Sequence, residues 1–189
     1  MNLEEMKQII IDNHYTHSVP SGKSHYFPFE DAVVVYSIPA NKNIAKFLLG
    51  YPGKVWELSR LWAPDGHREN LLTEAISVTV AAFRKAESGV DALVSYADPN
   101  VGHKGGVYRA ASWSFLGQCE ESRNYRDAQG RMFARRKFHA GRKNMTKKEI
   151  EATGYTEVKL PGKYRFAKGL TKKARKALMC RIKNDTFSI

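Results

Sequence analysis

Residues 92–117 read ALVSYADPNVGHKGGVYRAASWSFLG, and the architecture of the 189-residue chain follows from this stretch. Its opening, ALVSYA, alternates as a partly buried strand does and breaks at Asp98, Pro99 and Asn100, a cluster of turn formers. Asp98 is thereby delivered to the C-terminal end of the strand. Gly102, Gly105 and Gly106 permit a tight backbone path into a short helix predicted over 107–112, which presents Tyr108 before 113–116 resumes as strand. In an open α/β sheet such a strand end is where ligands bind, so Asp98, Asn100, His103 and Tyr108 are candidates by position.

Upstream, VWELSRLW at 55–62 alternates as a strand, with Trp56, Leu58, Arg60 and Trp62 on one face and Val55, Glu57, Ser59 and Leu61 on the other. An arginine on an apolar face requires a partner, and Asp98 is the natural one. A structural ion pair and a substrate-orienting pair both fit. Between the two strands, Leu72, Ala75, Ile76, Thr79, Val80 and Phe83 recur at helical spacing. They predict an amphipathic helix of about four turns, capped by Asn70 and ended near Gly89. A loop ahead of a helix N-terminus suits an anion such as a cofactor pyrophosphate, which makes Leu61, Trp62, Gly66, His67, Arg68 and Asn70 cofactor-side candidates. Gly66 is the only glycine of that loop.

At the N-terminus, apolar residues Leu3, Met6, Ile9 and Ile10 predict a helix that stops at Asn13. The segment HYTHSVPSGKSHYF that follows reads as a loop, crowded with His14, Tyr15, His17 and His25 and broken by Pro20 and Gly22. Metal coordination by imidazole and phenolate is one reading of it, and a substrate-side loop whose side chains bond to backbone is the other. The β-branched run at 32–38 predicts a buried strand.

The apolar content of 42% is that of an ordinary globular protein, and no apolar run is long enough to span a membrane. The acidic start of the chain is unlike a secretory signal, and Cys119 and Cys180 are too few for a disulfide framework, so a reduced, cytoplasmic protein is expected. Charge is unevenly distributed. Residues 1–122 carry 11 Lys/Arg against 14 Asp/Glu, and residues 123–189 carry 20 against 5, a net of −3 beside +15 within the total of +12. A lobe this basic on a near-neutral body is the footprint of a polyanion partner, most commonly nucleic acid. Aromatic residues interleaved with the charge predict a folded surface instead of a solvated tail.

Within this third, MFARRKF at 132–138 reads as a strand of a basic hairpin turned at 126–131. Thr146 and Glu149 form a capping box for a short helix ending at Gly154, YTEVKL-PG-KYRF reads as a second hairpin, and a helix starts at Thr171. Arg135, Arg136, Lys137, Arg142, Lys143, Lys163, Arg165, Lys172 and Lys173 are the candidates for contacting DNA phosphates.

The order of these elements resembles the GNAT-type acyltransferase superfamily. More narrowly, HYTHSVPSGKS, ELSRLWAPDGHREN and LVSYADPNVGHKGGVYRAASW together resemble the Mom proteins of Mu-like bacteriophages, and the likeness runs along nearly the whole chain. It implies an α/β (α+β) fold, a GNAT-like mixed, splayed β-sheet flanked by helices, with a catalytic core over 1–122 and a basic extension over 123–189 packed on it. It also implies an enzyme of the host-cell cytoplasm that converts adenine N6 in double-stranded DNA to a carbamoylmethyl or methylcarbamoyl derivative, so that phage DNA escapes restriction. By the same likeness His14, Tyr15, Arg60, Asp98 and Tyr108 are site residues, and Tyr15, Asp98 and Tyr108 are candidate ligands of an iron ion. The implied donor is acetyl-coenzyme A or another small molecule; the loop at 65–70 departs from the glycine-rich pyrophosphate pattern of ordinary GNAT enzymes. An acyltransferase acting on a protein or small molecule, and a non-enzymatic DNA-binding factor, are the other classes the sequence admits.

Overall fold

The computed structural model describes residues 1–138 and 144–186. In chain order the elements are α1 (Leu3–Asn13), β1 (Ser24–Phe29), β2 (Ala32–Ser37), α2 (Ile44–Leu49), β3 (Val55–Trp62), α3 (Leu71–Ala86), β4 (Ala92–Ala97) and α4 (Gly106–Ala110). They continue as β5 (Ser114–Gln118), β6 (Ser122–Arg126), β7 (Met132–Ala134), α5 (Lys147–Ala152), β8 (Thr156–Leu160), β9 (Tyr164–Gly169) and α6 (Lys172–Thr186), with 3-10 turns at Pro99–Val101 and Arg135–Phe138. Six strands form the main sheet in the order β1-β2-β3-β4-β9-β5, and β7-β6-β8 form a second, smaller one. Among the described strands only β3 and β4 run parallel, joined through α3. The mixed α/β class expected from sequence is therefore what forms, and no described helix is long and apolar enough to cross a membrane.

The sheet is covered on both faces, because its central strands are apolar at successive positions. Val34, Tyr36, Trp56, Leu58, Leu93 and Phe166 face α3 and α4, where they meet Ala75, Ile76, Phe83 and Tyr108. Val33 and Val35 face α1, and Val55, Ala92, Val94 and Ala167 face α2 and α6. Burying each large side chain of α3 contributes about 1.5–3 kcal/mol, and the buried Tyr36 hydroxyl is satisfied by Thr79 Oγ1 at 3.0 Å.

Several local expectations are corrected. The segment after α1 contains a strand, β1, whose alternation is obscured by Pro28 and by its place at the sheet edge. Asn70 stands before α3 in the left-handed conformation, φ 64°, and makes no side-chain cap. The strand in MFARRKF stops at Ala134 and gives way to a 3-10 turn. The capping box of Thr146 and Glu149 forms. YTEVKL and KYRF are not a hairpin: β8 pairs with β6 in the small sheet, while β9 is inserted between β4 and β5 in the large one. Phe166 and Ala167 explain this, since both are fully buried and require a core on each side. Residues 123–186 thus contribute to both sheets.

One correction matters most for function. The β2–β3 register shifts between Val35, opposite Arg60, and Tyr36, opposite Leu58, so Ser59 is an extra residue bulged out of β3. Beyond it the strict alternation is reversed. Leu61 joins Trp56 and Leu58 on the α3 face, and Trp62 packs near α1 with Met6 and Ile10. Arg60 turns away from the Trp56 face altogether.

At the other end of the sheet, Glu87 closes α3 and is buried among Lys23 Nζ at 2.6 Å, Lys54 Nζ at 2.5 Å and His25 Nε2 at 3.1 Å. Hydrogen bonds from Lys23, Lys54 and His25 hold its carboxyl far below the usual range, at about 2. A depressed carboxyl pKa contributes stability that is present above the unfolded value and lost as pH falls through the folded one. Glu87→Gln is therefore expected to lower the melting temperature at pH 7, with the gap to wild type closing as pH drops from about 4.5 to about 2. Melting curves across that range check it; a gap independent of pH rejects the ionic role.

Candidate active site

β3 and β4 are paired only at Val55 with Ala92, Trp56 with Leu93 and Glu57 with Val94. Past these positions the ladder ends and the Ser95 hydroxyl donates to the Leu58 carbonyl at 2.8 Å, a side chain standing where a backbone bond would be. The parted strand ends open a cleft of about 400 Å³. Its lining comes from residues 57–61 of β3, Tyr96 and Ala97 of β4, residues 102–108, the segment from His14 to Thr16 that follows α1, Leu72 and Lys163.

The loop from β4 to α4 is shaped by local chemistry. Asp98 Oδ1 accepts from the Asn100 backbone N–H at 3.0 Å and from Asn100 Nδ2 at 2.8 Å, which folds the 3-10 turn. Gly105, at φ 76°, lies against the Phe166 ring so closely that a Cβ would collide with it. The close approach seats Tyr108 in the core, ring centroids 5.1 Å from Phe166 and 5.6 Å from Trp113.

Four of the five predicted site residues line the cleft: His14, Tyr15, Arg60 and Tyr108. Arg60 is anchored by donating Nε to the Ser18 carbonyl at 2.9 Å and Nη1 to the Ser59 carbonyl at 2.7 Å. His14 Nδ1 accepts the Thr16 backbone N–H at 3.2 Å, which leaves the proton of the neutral ring on Nε2. Burial, reinforced by Arg60, His103, His17 and Lys163, lowers this imidazole to about 4. The Tyr15 ring lies tilted against His14, centroids 4.5 Å apart, and meets His103 edge to face at 5.2 Å. Tyr108 Oη and Ser95 Oγ share a hydrogen bond of 2.8 Å, and burial pushes the phenol up to about 12 against the effect of that bond.

Asp98 is not part of the lining and reaches the cleft through Lys163, whose Nζ is 3.0 Å from Oδ2. The pairing drawn with Arg60 is replaced by this one, because the Ser59 bulge turns Arg60 toward Ser18 and the 161–163 segment brings a lysine to the strand end. Burial acts to raise the Asp98 pKa, but the bonds from Lys163 and Asn100 outweigh it and hold the carboxyl below its usual range. Lys163, expected on a DNA-facing surface, is thus a cleft residue.

Two further cleft residues were not singled out from sequence. Glu57 is the last paired residue of β3, on the face opposite Trp56; burial raises its carboxyl above the usual range although Arg60 and Lys163 oppose this. Tyr96 is likewise raised, by burial and then by Glu57. The only signal for Glu57 was its place two residues after Val55 in a strand that leads to Arg60.

Other predicted positions lie elsewhere. Of the cofactor-side group only Leu61 lines the cleft, and Trp62, Gly66, His67 and Asn70 do not. Arg68 is held by two carboxylates, Glu30 at 2.6 Å and Glu74 at 2.7 Å, so an incoming pyrophosphate would have to displace them. Among the phosphate-contact candidates, Lys137 sits 3.5 Å over the Phe133 ring, and Arg165 donates to Cys119 Sγ at 3.1 Å while stacking 4.3 Å from Phe47. Arg135 and Arg136 stand on the 3-10 turn, Lys172 and Lys173 begin α6, and Arg142 and Lys143 lie outside the described residues. The three donors implied for iron do not form a binding set as arranged: Tyr108 Oη is committed to Ser95, and Asp98 to Lys163 and Asn100. Among the described residues no group of three or more His, Cys, Asp or Glu is placed to hold a metal ion.

Comparison with known proteins agrees with the motifs that meet at this cleft. A model of the Mom protein family matches residues 1–186. The chain belongs to the Mom family. It is 26% identical over 133 residues to the methylcarbamoylase Mom of Escherichia phage Mu, a match that covers 67% of this chain and 52% of that protein. The chain thus spans about half the length of this curated relative. In this Mom-family chain the three quoted motifs, distant in sequence, supply the segment after α1, the bulged strand and the β4–α4 loop, which are three walls of one cleft.

The Tyr108 hydroxyl is engaged within the core, so Tyr108→Phe is expected to lower stability by about 1 kcal/mol, the usual effect of losing one buried hydrogen bond. Urea denaturation of the two proteins measures it. An unchanged midpoint would show that Ser95 and Tyr108 are not bonded in solution.

Proposed function

We propose that this chain is a DNA-modifying enzyme that transfers a methylcarbamoyl or carbamoylmethyl group to adenine N6 in double-stranded DNA, in the host cytoplasm, protecting phage DNA from restriction. The observation that carries this reading is the convergence of the three family motifs on a single cleft lined by His14, Tyr15, Arg60 and Tyr108. The splay of β3 from β4 also supports the likeness to GNAT-type transferases, in which the reacting groups meet at the C-terminal strand ends. The basic small sheet stands beside the cleft, where β8 runs through the 161–163 segment into β9. That placement suits holding a duplex by its phosphates while one base leaves the stack.

Adenine N6 is a weak nucleophile, since its lone pair is delocalised into the ring. Catalysis therefore needs orientation, stabilisation of charge developing on the donor, and a proton acceptor. Arg60, fixed by Ser18 and Ser59, supplies a positioned cation. Tyr15 and His103 offer aromatic faces against which a flipped base can stack. Among the possible proton acceptors, His14 and Asp98 are weakly basic, as their lowered pKa values state, whereas the Glu57 carboxylate is made more basic by burial. Glu57 therefore takes the acceptor role in this scheme. The donor is a small molecule carrying an activated group; coenzyme A would have to find a pyrophosphate site other than Arg68.

The test is mass spectrometry of nucleosides from cells expressing the chain. Wild type is expected to yield modified adenosine, and Arg60→Ala and Glu57→Gln to reduce it by about 10²–10⁴-fold at matched soluble levels. Acylated lysine without modified adenosine would favour a protein acyltransferase, and neither product would leave a DNA-binding factor. Retention of activity in Glu57→Gln would remove that residue from the proton transfer and leave the function standing.

A further inference from the structure

Among the described residues, the fold divides the positive charge that follows β5 between two ends of the large sheet. Residues 119–163, including the small sheet, leave β5 at Gln118 and return to β9 at Tyr164, and these two residues are paired beside the cleft end of β4, where Ala97 pairs with Tyr164. β9 then runs away from the cleft, so that Gly169 pairs with Ala92 at the start of β4, and α6 begins from there. A six-residue strand separates the two ends by roughly 20 Å. That is about twice the Debye length at 0.1 M salt, so the two basic regions act on solution charges independently.

At the far end Lys172, Lys173, Arg175 and Lys176 of α6 are exposed, next to exposed Lys42 and Lys46 from the segment that follows β2. None of the six forms a salt bridge with a carboxylate among the described residues, whereas the carboxylates nearby are already engaged. Glu87 is held by Lys23, Lys54 and His25, and Asp91 accepts from the Lys54 backbone N–H at 3.0 Å and the Thr171 hydroxyl at 3.3 Å. Two open hollows lie here, one of about 800 Å³ walled by Lys42, Lys46, Lys54 and Asp91 and one of about 520 Å³ walled by the α6 cations. They are linked by Lys173, whose Nζ lies 4.0 Å over the Tyr51 ring. The result, among the described residues, is a cationic surface whose one lining carboxylate, Asp91, is already engaged by the Lys54 backbone and Thr171, and none of these residues lines the cleft.

We propose that this surface binds a second segment of double-stranded DNA, separate from the segment whose base enters the cleft. The choice of DNA as the polyanion rests on the proposed function; the existence of the surface does not. A chain with two such faces bridges or loops DNA, which keeps the enzyme on the molecule it is modifying between encounters at the cleft.

The test uses the full chain and two short duplexes carrying donor and acceptor dyes, with the triple variant Lys42→Glu/Lys46→Glu/Lys176→Glu, all exposed residues remote from the cleft. Wild type is expected to bind two duplexes per chain at low salt and to bring the dyes together. The variant is expected to bind the second duplex more weakly and to lose the energy transfer at concentrations where wild type shows it, and the slope of log affinity against log salt for that weakened binding should fall by about 0.9 for each phosphate contact removed. Modification of a short duplex should be unchanged. Persistence of bridging and of the slope in the variant overturns the proposal, as does a wild type that binds one duplex, or whose second site takes anionic vesicles or RNA and not DNA. If the triple Glu variant melts early, Lys→Gln at the same positions repeats the comparison. Bridging with no modified adenosine even in wild type would sink the enzymatic function and leave the second surface standing.

Discussion

The extra residue Ser59 in β3 is the constraint on which the site depends. A charged guanidinium left on the Trp56 face would be buried without a partner, at a cost of several kcal/mol. The bulge rotates Arg60 out of that face, gives its Nε and Nη1 two carbonyls, and lets Leu61 take the core position instead. It also ends the regular ladder between β3 and β4, so that a polar cleft opens at a point where the sheet would otherwise be closed. Core stability and site geometry are thus set by the same irregularity.

The cleft is furnished by elements that have other structural tasks. Ser95 bridges β3 and β4 while bonding Tyr108, and Gly105 admits the Phe166 ring while turning the chain into α4. Lys163 arrives from the connection between the two sheets and sets the ionisation of Asp98. The carboxyl groups near the cleft are consequently driven apart, Glu57 upward by burial and Asp98 downward by its donors. Separation of this kind assigns different roles to chemically similar groups.

The two basic regions illustrate how topology alters the meaning of composition. A surplus of lysine and arginine in one third of the chain suggests one polyanion surface. Because β9 crosses the sheet, part of that surplus stays beside the cleft and part is carried to the opposite end. Other cations are engaged by their neighbours: Arg165 is half-buried against Cys119 and Phe47, and the exposed Lys137 lies over Phe133.

What the sequence by itself determined were the features whose cause is local. The 3.6-residue period predicted α3, the β-branched run predicted β2, and Asp98, Pro99 and Asn100 marked the end of β4, because each pattern is written within one element. The quoted motifs likewise identified His14, Tyr15, Arg60 and Tyr108, which do meet. Tertiary structure alone decided the Ser59 bulge, the exchange of Arg60 for Lys163 as the partner of Asp98, the presence of Glu57 in the cleft, and the insertion of β9 between β4 and β5. The physical reason is the same in each case. Alternation of period two specifies which residues share a face only while the register is unbroken, and a strand's partner is chosen by the burial it completes far away in the chain, as Phe166 and Ala167 show.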